Sequence, residues 1–182
     1  VEIVQIDKPF ARVGSHARAE VRLEGPNAPK IAVYLHATQD GIFSVNLQRA
    51  AGGVSGASRW VSPDTPIQVG PYRIFASFAD GGTPTANGLV PLDRKGSAGS
   101  PVPVLFLLVN DKRVATYRAY RSLTIIGRRE PSDLRLVSHL ISATHCALYW
   151  QDDRIWFVDL LSSNGTEKRG QRRDFERLRL GK

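Results

Sequence analysis

The chain has 182 residues, 42% hydrophobic and 23% charged, an ordinary globular composition that excludes a disordered chain, a collagen and a coiled coil. No apolar run reaches the roughly 18 residues of a membrane span, and the longest, 102–109, has the length of a strand. The net charge is +8, with +2 over residues 1–100 and +6 over residues 101–182. This excess of positive charge predicts an anionic partner: nucleic acid, an acidic surface or a phosphorylated protein.

The cellular location is inferred from what the sequence lacks. A single cysteine, Cys146, excludes an internal disulfide, and no signal-peptide pattern is visible. We therefore expect an intracellular, cytoplasmic protein. Because the chain begins at Val1 and contains no methionine, we also expect a fragment or a processed product.

An internal repeat organises the chain. Segment 13–47 aligns without a gap on segment 126–160, at a constant offset of 113 residues. The spacing of apolar residues matches along both segments, which predicts two copies of one structural unit. Eight aligned pairs are identical: Gly14/Gly127, Arg22/Arg135, Leu23/Leu136, Leu35/Leu148, Asp40/Asp153, Ile42/Ile155, Val45/Val158 and Leu47/Leu160.

Both copies have the pattern of β-structure, because short runs rich in β-branched and aromatic residues alternate with turn signals. In chain order, these runs are 30–36, 41–47, 102–109, 114–120, 145–150 and 154–160. The segment 172–180 fits either a short helix or a loop followed by a short strand. Between the copies, 79–101 is rich in Gly, Pro, Ser and Thr and is interpreted as a linker. The sequence thus predicts an all-β protein of two tandem β-sandwiches.

Three short motifs stand out in the second copy, each beside a predicted strand. Gly127-Arg128 ends the strand LTIIGR, Ser142-Ala143-Thr144-His145 precedes the next strand, and Ser162-Ser163-Asn164-Gly165-Thr166 follows the strand IWFVDL. In this order and spacing they resemble the forkhead-associated (FHA) domain, a phosphothreonine-binding β-sandwich. The resemblance covers about 102–182.

The resemblance implies a role for each motif residue. Arg128 and Ser142 would hold the phosphate, and Ser163 and Asn164 would line the phosphate and peptide contact. The supporting residues would be Gly127, His145, Gly165 and Thr166, with His145 bracing the loops internally. The chemistry agrees, since a phosphothreonine carries about −1.5 to −2 charges and a guanidinium can bind it with two parallel hydrogen bonds.

The same resemblance suggests how the peptide would be selected. Family members often choose the side chain three residues after the phosphothreonine through the loop that precedes the serine. Here that loop, 138–141, ends in Leu140 and Ile141, which predicts an apolar preference.

The first copy retains the apolar scaffold and lacks the site. At the offset of 113, Arg128 falls on Ser15, Ser142 on Pro29 and His145 on Ala32. Asn164 falls on Ala51. We therefore interpret 1–78 as a degenerate FHA-like sandwich that does not bind phosphate and has a structural or protein-interaction role.

The two copies differ at their ends. Segment 178–181 resembles 67–70 with a two-residue gap, so the FHA domain at 102–182 is predicted to lack its last strand, and the first copy its first strand. Missing strands leave open sheet edges, which predicts self-association between copies or chains.

Two other functional classes compete with phosphopeptide binding. The basic tail 167–182 permits nucleic-acid binding, the less favoured alternative, and a scaffold that binds unphosphorylated partners is the other. Catalysis is not expected, because no GxGxxG, P-loop or HExxH motif occurs. His139, His145 and Cys146 do not form a metal-binding set. We therefore expect no catalytic residues, metal, cofactor, small-molecule substrate or membrane association.

Overall fold

The computed structural model describes residues 2–38, 41–48, 58–79, 104–108, 114–118, 123–151 and 154–179, and all structural statements below refer to them. The chain divides into two compact units, Val1–Leu89 and Val90–Lys182. In the described residues every regular element is a strand, which confirms the predicted all-β class with its tandem sandwich architecture.

The first unit is built on a five-stranded sheet in the order β2-β1-β3-β4-β5. The strands are β1 (Phe10–Gly14), β2 (Val21–Arg22), β3 (Val33–Thr38), β4 (Gly41–Asn46) and β5 (Ser58–Trp60). A separate hairpin consists of β6 (Ile67–Val69) and β7 (Tyr72–Ile74). Ile67 and Val69 are buried in one apolar cluster with Val13 and Val33 of the sheet, so the hairpin and the sheet share a core.

The second unit begins with a hairpin of β8 (Val104–Leu108) and β9 (Val114–Arg118). Its main sheet has the order β11-β10-β12-β13-β16. The strands of that sheet are β10 (Leu123–Gly127), β11 (Leu134–Arg135), β12 (Cys146–Gln151), β13 (Arg154–Asp159) and β16 (Phe175–Arg179). A further hairpin joins β14 (Thr166–Lys168) to β15 (Gln171–Arg173). Strand β10 is buried along its whole length, as expected for an apolar, β-branched run between two neighbouring strands.

The offset of 113 residues found in the sequence relates the strands of the two main sheets. Strands β1 to β4 and their counterparts β10 to β13 have bounds that differ by this offset throughout. The pairing registers agree as well, because Val13 faces Val21 in the first unit and Ile126 faces Leu134 in the second. Equivalent loops in the two units therefore leave equivalent strand ends.

The structure settles one alternative and corrects one alignment. Residues Phe175–Arg179 are a strand, so the helical interpretation of 172–180 was wrong. The alignment of 178–181 with 67–70 was also wrong. Leu178 lies on β16 and pairs with Ile155 in the main sheet of the second unit. The strand at the same position in the first unit is β5, whereas Ile67 belongs to the separate hairpin of β6 and β7. Short apolar alternation is common to all edge strands, which is why the sequence alone matched the wrong pair.

Some predictions fall on residues outside the described part of the chain. These include residues 80–101 of the predicted linker and Ala51, the counterpart of Asn164. The bounds 1–78, 79–101 and 102–182 and the missing last strand stay predictions. The described residues do contain a hairpin after the main sheet of the first unit and a hairpin before that of the second.

Candidate functional site

The predicted site residues lie on three loops of the second unit. The first loop follows β10 and carries Arg128, and the second loop runs from β11 to β12 and carries Ser142. The third loop connects β13 to β14 and carries Ser163 and Asn164. The structure brings all four together, because the residues of the first and third loops each form a hydrogen bond with the segment 140–142, which contains Ser142.

Arg128 is exposed and attached to the second loop at two points. Its backbone N–H donates to the carbonyl oxygen of Ser142 at 2.9 Å, and its Nε donates to the carbonyl oxygen of Ile141 at 3.1 Å. The second bond orients the plane of the guanidinium. The terminal nitrogens form no hydrogen bond with any described residue, so their donors remain for a ligand.

Ser142 and Ser163 are joined through the Ser142 hydroxyl. The Ser163 backbone N–H donates to the Ser142 Oγ at 2.9 Å. A hydroxyl that accepts one hydrogen bond can still donate its own hydrogen. Ser142 is half-buried and Ser163 is exposed, so this pair lies at the surface next to Arg128.

Asn164 closes the site from the third loop. Its Nδ2 donates to the carbonyl oxygen of Leu140 at 2.8 Å, and the residue is exposed. The carboxamide donor is thereby used to fix the loop, which leaves Oδ1 as the acceptor available to a ligand. An extended peptide could satisfy this oxygen with a backbone N–H.

His145 connects the second loop to the start of β14. Its Nδ1 accepts a hydrogen bond from the Ser142 backbone N–H at 3.1 Å, so the ring hydrogen of the neutral form is on Nε2. Nε2 lies 3.2 Å from the Thr166 Oγ1, which in turn donates to the Asp159 Oδ2 at 3.1 Å. Burial lowers the pKa of His145, against opposing effects of the Asp159 charge and the Gly165 backbone, so the imidazole is neutral.

Asp159 is a supporting residue that the sequence motifs did not identify. It is buried at the end of β13, where its Oδ1 accepts the Ser162 backbone N–H at 2.9 Å and its Oδ2 accepts the Ser162 hydroxyl. A carboxylate at the end of an apolar strand needs such partners when it is buried. In the sequence IWFVDLLSS, the aspartate at the end of an apolar strand is followed by serines that can bond to it, and this pattern could have identified Asp159.

Two glycines permit close approaches within the site. A Cβ on Gly127 would lie 2.2 Å from the Ala143 carbonyl oxygen and 2.4 Å from the Ser132 Oγ, so β10 can contact the second loop only without a side chain there. Gly165 has a φ of +78°, and a Cβ on it would lie 2.5 Å from the Arg172 Nε. Arg172, on β15, therefore packs against the third loop, a placement that the sequence did not predict.

The first unit has the same backbone frame without the guanidinium. The Ser15 backbone N–H donates to the Pro29 carbonyl at 2.8 Å, as that of Arg128 does to Ser142. The Ser15 Oγ donates to the Ala28 carbonyl at 2.9 Å, in the place where the second unit has the Arg128 Nε. The scaffold of the site is thus preserved in both units, and its cationic group is present in the second.

Several observations bear on other chemistries. In the part of the chain that the structure describes, no group of three or more His, Cys, Asp or Glu residues could hold a metal ion. Burial, with a smaller contribution from Asp159, raises the pKa of Cys146 to about 12, so this thiol is protonated. Within the described residues, no helix has the length and apolar character needed to cross a membrane.

Comparison with known proteins relates part of the second unit to a family. The family model of the FHA domain matches residues 124–181. A search of curated proteins returns no match to this sequence.

Three solved structures are similar to parts of the chain. One, described as an analysis of phosphothreonine-dependent FHA domain interactions, is 25% identical over 41% of this chain and 75% of its own, with a TM-score of 0.36. Mycobacterium tuberculosis EmbR in complex with a low-affinity phosphopeptide is 27% identical over 48% of this chain and 23% of its own, with a TM-score of 0.38. Mycobacterium tuberculosis Rv1747 FHA-1 is 26% identical over 43% of this chain and 78% of its own, with a TM-score of 0.34.

Proposed function

From the premise that residues 124–181 form an FHA domain, we propose that the second unit binds a phosphothreonine in an extended segment of a partner protein. The observation that carries this proposal is the convergence of Arg128, Ser163 and Asn164 on the segment 140–142. In each of these contacts, one polar group is bonded within the domain and another polar group of the site remains available to a ligand. The chain then recruits a phosphorylated protein.

The phosphate would be bound by the terminal nitrogens of Arg128 and the hydroxyl of Ser142. Because the Nε of Arg128 is already bonded to the Ile141 carbonyl, little side-chain freedom is lost on binding. Charge-assisted hydrogen bonds of this kind contribute about 1.5–3 kcal/mol each. Ser163, which is exposed beside Ser142, would line the same phosphate.

The peptide backbone would be held by Asn164. Its Oδ1 is the free acceptor of a carboxamide whose Nδ2 is fixed on Leu140, so it can accept one backbone N–H without a rotamer change. One phosphate and a short peptide bury little surface. We therefore expect affinities on the order of micromolar, or about −8 kcal/mol.

A catalytic role for Ser142 and His145 is disfavoured by their geometry. The Nδ1 of His145 accepts the backbone N–H of Ser142 and so cannot take the proton of its hydroxyl. Its Nε2 faces the Thr166 Oγ1. A nucleophile needs a base within hydrogen-bond reach, and this imidazole is occupied at both nitrogens. We propose an intracellular recruiting module that is not an enzyme.

The first unit would serve a structural or protein-interaction role without phosphate binding. Ser15 occupies the position of Arg128, and its hydroxyl is bonded to the Ala28 carbonyl. A neutral hydroxyl does not provide the positive charge that a phosphate dianion requires. Self-association through open sheet edges stays part of the proposal for this unit.

The decisive experiment is titration of the chain with a phosphothreonine peptide library, against phosphoserine and unphosphorylated controls. We expect binding that depends on the phosphothreonine and is abolished by Arg128→Ala. Arg73→Ala, which removes the same charge from an exposed position in the first unit, is the matched control and should bind normally. Equal binding of phosphorylated and plain peptides would contradict the proposal and favour the scaffold alternative.

Nucleic-acid binding makes a different prediction. A protein that binds phosphate backbones loses affinity steeply with salt and ignores peptide phosphorylation. Among the basic residues after Gly165, Lys168 is ion-paired with Glu176 at 2.5 Å, and the Arg177 guanidinium lies 5.6 Å from the centre of the Trp156 ring. These contacts within the domain are consistent with a solvated basic face.

A further inference from the structure

The hairpin of β14 and β15 places a second guanidinium on the third loop of the site. Arg172, on β15, packs against Gly165, the residue that follows Asn164. A Cβ on Gly165 would lie 2.5 Å from the Arg172 Nε, 2.7 Å from its Cζ and 2.9 Å from its Nη2. The glycine therefore makes room for the guanidinium directly beside the loop that carries Ser163 and Asn164.

This guanidinium has no anionic partner in the described part of the domain. Arg172 is exposed, and it forms no hydrogen bond or ion pair with any residue that the structure describes. Glu167 lies directly opposite on β14 in the pairing of the hairpin. The Arg172 side chain nevertheless lies against the third loop and is not paired with that carboxylate. Its charge and its donors therefore remain for a ligand.

Neighbouring basic residues differ from Arg172 because they are bonded within the domain. Lys168 is ion-paired with Glu176, and the Arg173 Nη2 donates to the Gln171 Oε1 at 2.7 Å. Such contacts hold a cation on its own domain. Arg172 makes none among the described residues, so it can pair with a ligand without the loss of an internal bond.

The position of Arg172 indicates where its anion would stand on a bound peptide. Arg128 is anchored on the second loop through the Ile141 carbonyl, whereas Arg172 lies on the third loop. Ser163 and Gly165 are two residues apart, and each residue of an extended peptide spans about 3.3–3.6 Å. A phosphate bound at Arg128 would therefore leave Arg172 for a side chain two or three residues along the peptide.

We propose that Arg172 selects partner segments that carry a second anionic side chain, a carboxylate or a further phosphate, two or three residues from the phosphothreonine. The inference rests on the proposed phosphothreonine binding by the second unit and adds a specificity-determining residue to it. An exposed pair of opposite charges contributes little, so the expected preference is about two- to fivefold for an aspartate and larger for a phosphate. Because the pair would be exposed, the preference should weaken as the salt concentration rises.

The test is a set of thermodynamic cycles between the full chain and matched phosphothreonine peptides. One position within three residues of the phosphothreonine is made Ala, Asp or phosphoserine in turn. The measured quantity is the ratio of the Kd of the Ala peptide to that of the anionic peptide. For Asp we expect a ratio of about two to five in the wild type and near one in Arg172→Gln. Arg172→Lys, which keeps the charge, should retain most of the preference. The anion whose ratio falls more in Arg172→Gln is the one that Arg172 prefers.

Arg169→Asn is the matched control for charge. Arg169 is exposed at the turn of the same hairpin and has a φ of +52°, a conformation that Asn adopts more readily than most residues. The variant removes the same positive charge at the opposite end of β14 from Gly165, so its ratio should equal that of the wild type. The NMR signal of the Arg172 Hε should shift with the Asp peptide and not with the Ala peptide.

The outcomes separate this inference from the proposed function. If the Ala peptide binds and depends on Arg128, but the wild-type ratio is one at every position or is unchanged in Arg172→Gln, the inference is overturned and phosphothreonine binding stands. An equal loss of preference in Arg169→Asn would also overturn it, because general electrostatic attraction would then suffice. If no phosphothreonine peptide binds, the proposed function fails and the inference fails with it.

Discussion

Replacement of Gly127 by alanine would place a methyl group where the second loop contacts β10. The added Cβ would lie 2.2 Å from the Ala143 carbonyl oxygen, 2.4 Å from the Ser132 Oγ and 2.9 Å from the Ala143 carbonyl carbon. Ordinary contacts of a Cβ begin at 3.4 Å, and the first and last of these atoms belong to backbone. The second loop would therefore have to move by more than an ångström, and it carries Ser142.

The cost can be worked out from the bonds that such a movement breaks. Three hydrogen bonds join the first loop to Ser142 and Ala143 of the moving segment. These are Arg128 N–H to Ser142, Arg129 N–H to Ala143, and Ser132 Oγ to Ala143. At about 0.5–1.5 kcal/mol each, their loss lowers the free energy of unfolding of the second unit by about 1.5–4.5 kcal/mol. Phosphopeptide affinity should fall with it, because Arg128 loses its anchor on the second loop.

A matched variant in the first unit makes this prediction specific. A Cβ on Gly14 would lie 2.4 Å from the Lys30 carbonyl oxygen, an equivalent clash on the equivalent loop. Urea denaturation, followed by NMR signals assigned to each unit, reports the two stabilities separately. Gly127→Ala should destabilise the second unit and weaken phosphopeptide binding, and Gly14→Ala should destabilise the first unit alone. If Gly127→Ala left both stability and binding at the wild-type level, the reasoning would be refuted.

Three further predictions concern stability and the loop geometry. Burial opposes ionisation of Glu20, but hydrogen bonds from Arg12 lower the pKa of this carboxyl below the ordinary 4.5. The ionised Glu20 therefore stabilises the first unit above pH 4.5, and this stabilisation is lost as the pH falls. Glu20→Gln should therefore cost about 3–5 kcal/mol by urea denaturation, because Arg12 is 1% exposed and would lose the negative charge that Glu20 places beside it; a cost near zero would contradict this. Burial lowers the pKa of His36 to about 3. The free energy of unfolding of the first unit should therefore fall by up to about 1.4 kcal/mol per pH unit as the pH falls from 6.5 to 3. His36→Gln should flatten that part of the plot of unfolding free energy against pH. Gly165→Ala should cost about 1–2 kcal/mol through its positive φ and displace Arg172, so an unchanged melting temperature and unchanged Arg172 NMR signals would refute this.

The β-structure and the repeat could be predicted because both depend on local patterns. Runs such as 154–160 alternate with turn residues, and strand β13 follows that run closely. The offset of 113 residues was visible because apolar positions are constrained in both copies by the same sheet. The four site residues could be predicted together because three motifs, in their order and spacing along the second copy, resemble the FHA pattern.

Other features could not be predicted, since they depend on contacts between distant segments. The reversal between β14 and β15 occurs at Arg169 and Gly170, both with positive φ, and not at the stronger turn signal Asn164-Gly165. The placement of Arg172 on Gly165 follows from that hairpin and has no signal in local spacing. The role of Asp159 likewise depends on burial, which composition does not reveal.

The measurement that tests the central claim most directly is NMR mapping of the whole chain during titration with a phosphothreonine peptide, repeated with the dephosphorylated peptide. The account predicts large phosphate-dependent shifts of the Arg128 Hε, of the Ser142 and Ser163 amides, and of the Asn164 carboxamide, with the signals of residues 2–48 unchanged. Shifts of the same size with the dephosphorylated peptide, or phosphate-dependent shifts in the first unit instead, would contradict it.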